Sequence, residues 1–214
     1  MGKLNDSLLS GSSGRTGRLV VANVSGTEIL RARPRKRTGQ ATPKQLLVQN
    51  RMTQAYNFLS AYSSFAKEYF GKRLGMRSRF NQAMTNVLDA FKLDFVTLTI
   101  NPVYSEIEFA HGSLLAANPT ALTVTAAGSF TLDWFNNSAG NVEREVDELQ
   151  VLYYAVDEKK PIFLENAGLR ADGTLDIPVA PTLTGKTIHV WMAFRSSVLL
   201  EASVSAYIGT VVML

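Results

Sequence analysis

A change of hydrophobic period near Asp94 constrains the fold of this chain more than any other sequence feature. In residues 43–92 apolar residues recur every three or four positions, as in amphipathic helices, whereas after Asp94 they alternate with polar residues, as in strands. The predicted strands are FVTLTI (95–100), ALTVTA (121–126), SFTLDWF (129–135), LQVLYYAV (149–156), PIFL (161–164), TLDIPV (174–179), TIHVWMAF (187–194) and VSAYIGTVVM (204–213). Turn-forming residues separate these runs. Seven or eight strands in about 120 residues predict an antiparallel β-sandwich over residues 93–214.

Alternation within the strands also predicts the core of the sandwich, because side chains on a strand repeat every two residues. The expected inward-facing residues are Phe130, Leu132 and Trp134 on one strand and Ile188, Val190, Met192 and Phe194 on another. The pattern resembles an immunoglobulin or fibronectin type III domain, with Trp134 as the early core tryptophan and Tyr153 or Tyr154 on the next strand. The chain has no cysteine, so the resemblance concerns architecture alone.

Residues 1–42 are predicted to form a glycine-rich basic arm that contains a β-hairpin. Two β-rich runs within residues 19–33 flank Ser25-Gly26, a pair typical of hairpin turns. Pro34 is expected to end the second strand, because proline has no N–H for the ladder. Arg31 and Arg33 then lie on one face of that strand.

Residues 43–92 are predicted to form a helical hairpin. Thr42, Pro43 and Gln45 supply an N-cap, a proline at the first helical position and a capping-box partner. The apolar positions of this helix form a heptad seam: Val48, Met52, Ala55, Leu59, Tyr62, Ala66 and Tyr69. Such a seam packs either within its own domain or against a neighbouring subunit, and the sequence leaves both alternatives open. Ser78 is expected to cap a second helix. The predicted fold class is therefore α+β.

Charge is divided unequally along the chain. Residues 1–92 carry 16 Lys and Arg against 4 Asp and Glu, whereas residues 93–214 carry 6 against 14. The predicted nucleic-acid or intersubunit contacts are Arg31, Arg33, Arg35, Lys36, Arg37, Lys72, Arg73, Arg77 and Arg79. The predicted acidic partner surface consists of Glu143, Glu145, Asp147 and Glu148. This division suits nucleic-acid binding by the basic half, and it equally suits head-to-tail contact between copies.

The sequence contains no arrangement of residues that indicates catalysis. Only His111 and His189 are available as histidine bases, no serine lies in a GxSxG motif, and the acidic loop lacks the EF-hand pattern. We therefore predict a non-enzymatic protein with no metal, no cofactor and no small-molecule substrate. Neither a signal peptide nor a membrane span is recognisable, which favours assembly in the cytoplasm.

Several short motifs, taken in order, resemble one family. They are GSSGRTGRLVVANVSGTEILRARP, Gln45 with Gln49-Asn50-Arg51, Asn81-Gln82-Ala83, YSEIEFAHGSL with Ser105 and Gly112-Ser113-Leu114, WMAFRS and SVSAYIG. This order is similar to a Bacteroidota family of roughly 200-residue proteins of unknown function, found in bacterial genomes and phage-related settings. The resemblance implies the architecture and no catalytic residue.

Together these features predict a structural subunit that assembles with copies of itself into a particle or filament, with a phage virion component favoured. Contact between basic N-terminal and acidic C-terminal halves would hold the copies together. The alternative is a protein that binds nucleic acid non-specifically through its basic arm.

Overall fold

The computed structural model describes residues 2–4, 9–24, 26–35, 39–126 and 128–214, without the side chains of 125 and 126. The chain forms two compact units. The first consists of Met1–Ala41 with Leu74–Met76, and the second consists of Thr42–Arg73 with Arg77–Leu214. Residues 43–92, predicted as a segment of their own, thus share one unit with the sandwich, apart from Leu74–Met76.

The first unit contains a four-stranded antiparallel sheet in the order β1-β4-β3-β2. Its strands are β1 Gly2–Lys3, β2 Gly14–Thr16, β3 Leu19–Val24 and β4 Thr27–Ala32. The predicted hairpin is the β3–β4 pair. Gly26 has φ of +83° in the turn, a conformation that glycine adopts without steric cost, while Ser25 lies outside the described residues.

Three helices open the second unit: α1 Pro43–Ser60, α2 Ser63–Tyr69 and α3 Arg79–Ala90. The predicted capping box at the start of α1 is confirmed, since Thr42 and Gln45 exchange side-chain to backbone hydrogen bonds of 3.2 and 3.4 Å. Ser78 caps α3 in the same way by accepting from the Asn81 N–H.

The single long helix expected through Tyr69 is wrong, because the chain leaves helical geometry at Tyr62 (φ −120°, ψ 24°). Serine competes with the backbone for hydrogen bonds, and the Ser60 hydroxyl donates to the Asn57 carbonyl in the last turn of α1. The break lets Tyr62 pack edge-on against Phe109.

The predicted sandwich is confirmed. Its strands are β7 Pro119–Ala126, β8 Ser129–Trp134, β9 Glu148–Ala155, β10 Ile162–Leu169, β11 Thr174–Pro178, β12 Thr187–Ser196, β13 Glu201–Ala202 and β14 Ala206–Val212. One sheet has the order β11-β8-β7. The other has the order β10-β9-β12, with β13 and β14 both pairing with β12. The chain thus passes from the first sheet (β7, β8) to the second (β9, β10), returns to the first for β11 and ends in the second, as in an immunoglobulin-like fold.

Alternation along β12 gives the larger sheet two buried faces, one packed against the three-stranded sheet and the other packed against the helices. Ile188, Val190, Met192 and Phe194 are buried as predicted and face the three-stranded sheet. Trp191 and Ala193 point the opposite way and are buried against the helices. The larger sheet is therefore covered on both faces, which is why its central strands read as nearly continuous apolar runs.

The first predicted strand of the sandwich, FVTLTI, is largely a turn instead. A hairpin of β5 Phe91–Asp94 and β6 Thr99–Pro102 occupies this region, and residues 95–98 connect its strands. The Asp94 carboxylate accepts hydrogen bonds from the N–H groups of Val96 and Thr97 and from the Thr97 hydroxyl. These bonds lower the pKa of Asp94 and fix the turn.

The second unit also contains α4 Val142–Glu145 and three 3-10 turns, Tyr104–Glu106, Arg170–Asp172 and Pro181–Leu183.

The Tyr62 hydroxyl is fully buried and makes no hydrogen bond within the described residues. Because an unsatisfied buried hydroxyl costs about 1–3 kcal/mol, we expect Tyr62→Phe to leave the free energy of unfolding unchanged or to raise it. Urea titration of both proteins measures this difference. A decrease of more than about 1 kcal/mol in the free energy of unfolding would mean that the Tyr62 hydroxyl has a hydrogen-bond partner. Tyr56→Phe, which removes the hydroxyl of a tyrosine that is 56% exposed, is the matched control.

Candidate functional site

The register of the N-terminal sheet brings distant cations onto one face. Arg15 on β2 lies opposite Val20 on β3, and Val20 lies opposite Arg31 on β4. Directly opposed residues of an antiparallel sheet point to the same side. Lys3 on β1 lies opposite Ile29, two residues before Arg31, so Lys3 shares this face as well.

Two further arginines extend this face at the end of the sheet. The Arg33 N–H donates to the Arg18 carbonyl at 2.7 Å, one residue beyond the last pair of the β3–β4 ladder. By strand alternation both side chains fall on the side of Arg31. Arg18, Arg33 and Arg35 line an open groove of about 650 Å³. We call Lys3, Arg15, Arg18, Arg31 and Arg33 the basic face.

The opposite face of this sheet carries apolar side chains and the acidic residue Glu28. Val21 is buried there, and Leu30 is half-buried beside it. Glu28 belongs to the same side by alternation, and its carboxylate accepts from the Gly11 N–H at 2.8 Å and the Ser10 hydroxyl at 3.2 Å. Among the described residues, no ion pair includes a member of the basic face. Within the described part of the chain, the basic face thus carries positive charge without a paired carboxylate.

The predicted basic residues separate into two groups. Arg31, Arg33 and Arg35 belong to the N-terminal unit and are exposed. Lys36 and Arg37 lie outside the described residues. Lys72, Arg73, Arg77 and Arg79 lie between or at the ends of α2 and α3, in the second unit. The Arg79 guanidinium donates to the Glu68 carbonyl, where it closes the end of α2.

Sequence reasoning missed Lys3, Arg15 and Arg18 as members of the site. Their signal was the short GRTGR segment, whose Gly14 and Gly17 have positive φ values of 104° and 58°. Those conformations turn the chain so that β2 can pair with β3. Only that pairing relates Arg15 to Arg31.

The predicted acidic partner surface requires correction, because two of its four members form ion pairs within the chain. Asp147 is buried and pairs with Arg170 at 3.1 Å. Glu148 on β9 accepts from Arg195 Nε on β12 at 2.9 Å. Glu143 is exposed on α4, whereas Glu145 is half-buried and accepts from the Ser138 hydroxyl at 3.4 Å. The surface is thus much less negative than the sequence suggests.

The predicted heptad seam also requires correction. Ala55, Leu59, Tyr62 and Ala66 are fully buried in this chain's own core, and Tyr69 packs against the same cluster. Val48 and Met52 are exposed instead. The C-terminal part of the seam is therefore unavailable to a neighbouring subunit.

The two histidines make local contacts. His111 Nδ1 lies 2.8 Å from Glu108 Oε2. His189 lies on the helix-facing side of β12, where its Nδ1 is 2.8 Å from the Tyr207 hydroxyl and burial lowers its pKa. Across the described residues, no cluster of three or more His, Cys, Asp or Glu side chains is placed to hold a metal ion. No described helix is long and apolar enough to cross a membrane.

These features define an α+β protein with an immunoglobulin-like sandwich and a separate basic sheet. The chain belongs to a family of unknown function, DUF6266, which matches residues 11–209. The predicted resemblance to such a family is confirmed, and its Bacteroidota origin stays a prediction. No curated protein matches the chain. A similar solved structure is the fn3 domain of human contactin 1, with 11% identity over 47% of this chain and 76% of that chain and a TM-score of 0.34.

Proposed function

We propose that this protein is a non-enzymatic binding protein that holds nucleic acid through the basic face. The observation that carries the proposal is the alignment of Lys3, Arg15, Arg18, Arg31 and Arg33 on one side of a sheet, without an acidic partner in the described residues. A row of unpaired cations attracts phosphates and releases their counterions, so binding is strong at low salt.

The same face indicates that phosphates, and not bases, are recognised. Its other strand residues are Val20, Ala22, Val24, Thr27 and Ile29, none of which is aromatic. Single-stranded nucleic acids are held largely by bases stacked on aromatic rings. We therefore propose sequence-independent contact with the backbone of a duplex.

Salt dependence of binding to a random DNA duplex tests the proposal. Replacing Arg15, Arg18, Arg31 and Arg33 with Gln should weaken binding at low salt and should reduce the slope of log K against log salt by about 3 to 4. The matched control replaces Lys44, Lys67, Lys159 and Lys160 with Gln, which changes net charge equally at exposed positions elsewhere. We expect the control to retain the wild-type slope. Equal losses in both variants, or no binding by the wild type at low salt, would reject the proposal.

A second candidate function is self-assembly into a particle or filament, with a phage virion component as the favoured setting. It is favoured by an exposed apolar hairpin tip formed by Val198, Leu199 and Leu200. Electron microscopy of the purified protein tests it. Filaments, tubes or shells would support assembly, whereas uniform monomers at high concentration would contradict it. The absorbance ratio of any particles would reveal whether they contain nucleic acid.

A further inference from the structure

Two arginines face each other directly at one end of the N-terminal sheet. The Arg33 N–H donates to the Arg18 carbonyl at 2.7 Å, one residue beyond the last pair of the β3–β4 ladder. Residues opposed in this way have Cβ atoms about 5 Å apart and point to the same side of the sheet. Both side chains are exposed, and they line the open groove of about 650 Å³ together with Arg35. We call Arg18, Arg33 and Arg35 the groove arginines.

The convergence of these cations has an energetic cost in the unbound protein. Like charges that are directly opposed across two strands destabilise a sheet. Over the ranges of the chain that the structure describes, no carboxylate forms an ion pair with a groove arginine. Arg170 and Arg195 of the second unit differ in this respect, because each has a carboxylate partner. An anion seated in the groove would remove the repulsion.

The backbone around the groove arginines is fixed by local structure. Arg18 and Gly17 form a two-residue turn, because the last pair of the β2–β3 ladder flanks them. Gly17 has φ of +58° there, a conformation that glycine adopts without steric cost. Pro34 follows Arg33 and restricts it to extended backbone. A ligand therefore has to order side chains and not the chain itself, which reduces the entropic cost of binding.

Positive charge continues from the groove across the basic face. Arg31 lies two residues before Arg33 on β4, about 7 Å away, and Arg15 and Lys3 extend the same side of the sheet. A small anion would contact the groove and none of these cations. A nucleic acid strand that ended in the groove would also reach them, because it carries one phosphate for about every 3.4 Å of helix axis.

The charge of the ligand distinguishes the end of a strand from its interior. An internal phosphodiester carries one negative charge, whereas a phosphate monoester carries about 1.5 to 2 at pH 7 and offers three acceptor oxygens. Guanidinium groups bind such oxygens in pairs through their forked N–H donors. Several guanidinium groups around one groove therefore match a monoester better than a diester.

We infer that the groove arginines bind the terminal phosphate monoester of a nucleic acid strand, so that the protein holds phosphorylated duplex ends in preference to internal duplex. This inference rests on the nucleic-acid binding proposed above, and it specifies which part of the nucleic acid the groove holds. The remaining cations of the basic face contact the phosphates that follow the end.

Fluorescence-anisotropy titration with three forms of one DNA duplex tests the inference. The first form has phosphate monoesters at all four strand ends, the second has hydroxyl groups there, and the third is closed by a loop at each end. We expect the wild type to bind the first form roughly tenfold more tightly than the other two, because charge-assisted hydrogen bonds contribute that much. This preference should shrink at pH 5, since a phosphate monoester loses its second charge below a pKa of about 6.

Two variants of equal net charge locate the contact. Arg18→Gln with Arg33→Gln should bind all three DNA forms with similar affinity, because it removes the opposed cations of the groove. It should fold at least as stably as the wild type, since it also removes their repulsion. The matched control is Arg15→Gln with Arg31→Gln on the same face. The control should bind every form more weakly and should keep the wild-type preference for phosphorylated ends.

The outcomes separate failure of this inference from failure of the proposed function. No binding of any duplex at low salt would reject both. Equal binding of the three forms by the wild type would overturn the inference alone and would leave contact with the duplex backbone in place. A preference that survives in the Arg18 and Arg33 variant, that both variants lose equally, or that is unchanged at pH 5 would also overturn the inference.

Discussion

Replacing Arg170 with Met is expected to lower the free energy of unfolding by about 3 to 5 kcal/mol, because it leaves a buried carboxylate without its partner. Arg170 is fully buried, and its guanidinium donates to Asp147 Oδ2 at 3.1 and 3.2 Å. It also donates to the Leu115 carbonyl at 3.0 Å and to the Asn137 side chain. The guanidinium carbon lies 4.0 Å from the centre of the Phe194 ring.

This one side chain thus joins the segments around residues 115, 137 and 147 to the sandwich core. Burial lowers the pKa of the Arg170 guanidinium, and the charge of Asp147 opposes that change. Arginine stays protonated in proteins, so the pair contributes while Asp147 is ionised. Thermal or urea denaturation of the variant measures the loss.

The double variant Arg170→Met with Asp147→Leu is the control for this prediction. Removing both charges together abolishes the unpaired carboxylate, so much of the lost stability should return. Arg170→Lys should lie between the wild type and Arg170→Met, since a single ammonium cannot reproduce the forked contacts. If Arg170→Met were as stable as the wild type, the buried pair would have no structural role.

Replacing Leu59 with Asp is expected to prevent folding, because Leu59 is fully buried in the core between the helices and the larger sheet. An unpaired carboxylate in such a site costs more than the few kcal/mol by which a typical domain is stable. Circular dichroism and amide NMR spectra would report the loss of ordered structure.

Met52→Asp is the matched control on the same helix, because Met52 is 49% exposed. The two positions were equivalent in the predicted heptad seam, and they become different only in the folded chain. We expect Met52→Asp to fold with nearly wild-type stability. A Leu59→Asp protein that folded but failed to associate would instead support an intersubunit seam and contradict the observed burial.

Local signals in the sequence predicted much of the architecture. The alternation around Phe130, Leu132 and Trp134 identified a strand and its inward face, since that period follows from strand geometry alone. Thr42 and Gln45 located the start of α1 because a capping box is satisfied within four residues. The FVTLTI segment misled for a related reason: its β-branched residues favour strand, whereas hydrogen bonds from Asp94 hold residues 95–98 in a turn.

Such local signals could not predict contacts between segments that are far apart in the sequence. Whether Leu59 faced its own chain or a neighbour depended on the position of the larger sheet. The sequence predicted an acidic surface at residues 143–148, whereas in the structure Arg170 pairs with Asp147 and Arg195 pairs with Glu148. Each partner lies more than 20 positions away, and sequence spacing carries no information about such pairs.

By itself the sequence determined the period of each element, the helix caps and the concentration of positive charge near the N-terminus, because these depend on residues close together in the chain. Tertiary structure alone decided that Lys3, Arg15, Arg18, Arg31 and Arg33 share one face, since strand register relates them. It also decided that Leu59 is buried in this chain's own core, since the larger sheet covers that side of the helices. Register and packing are properties of the whole fold, and that is why they appear only once the chain is folded.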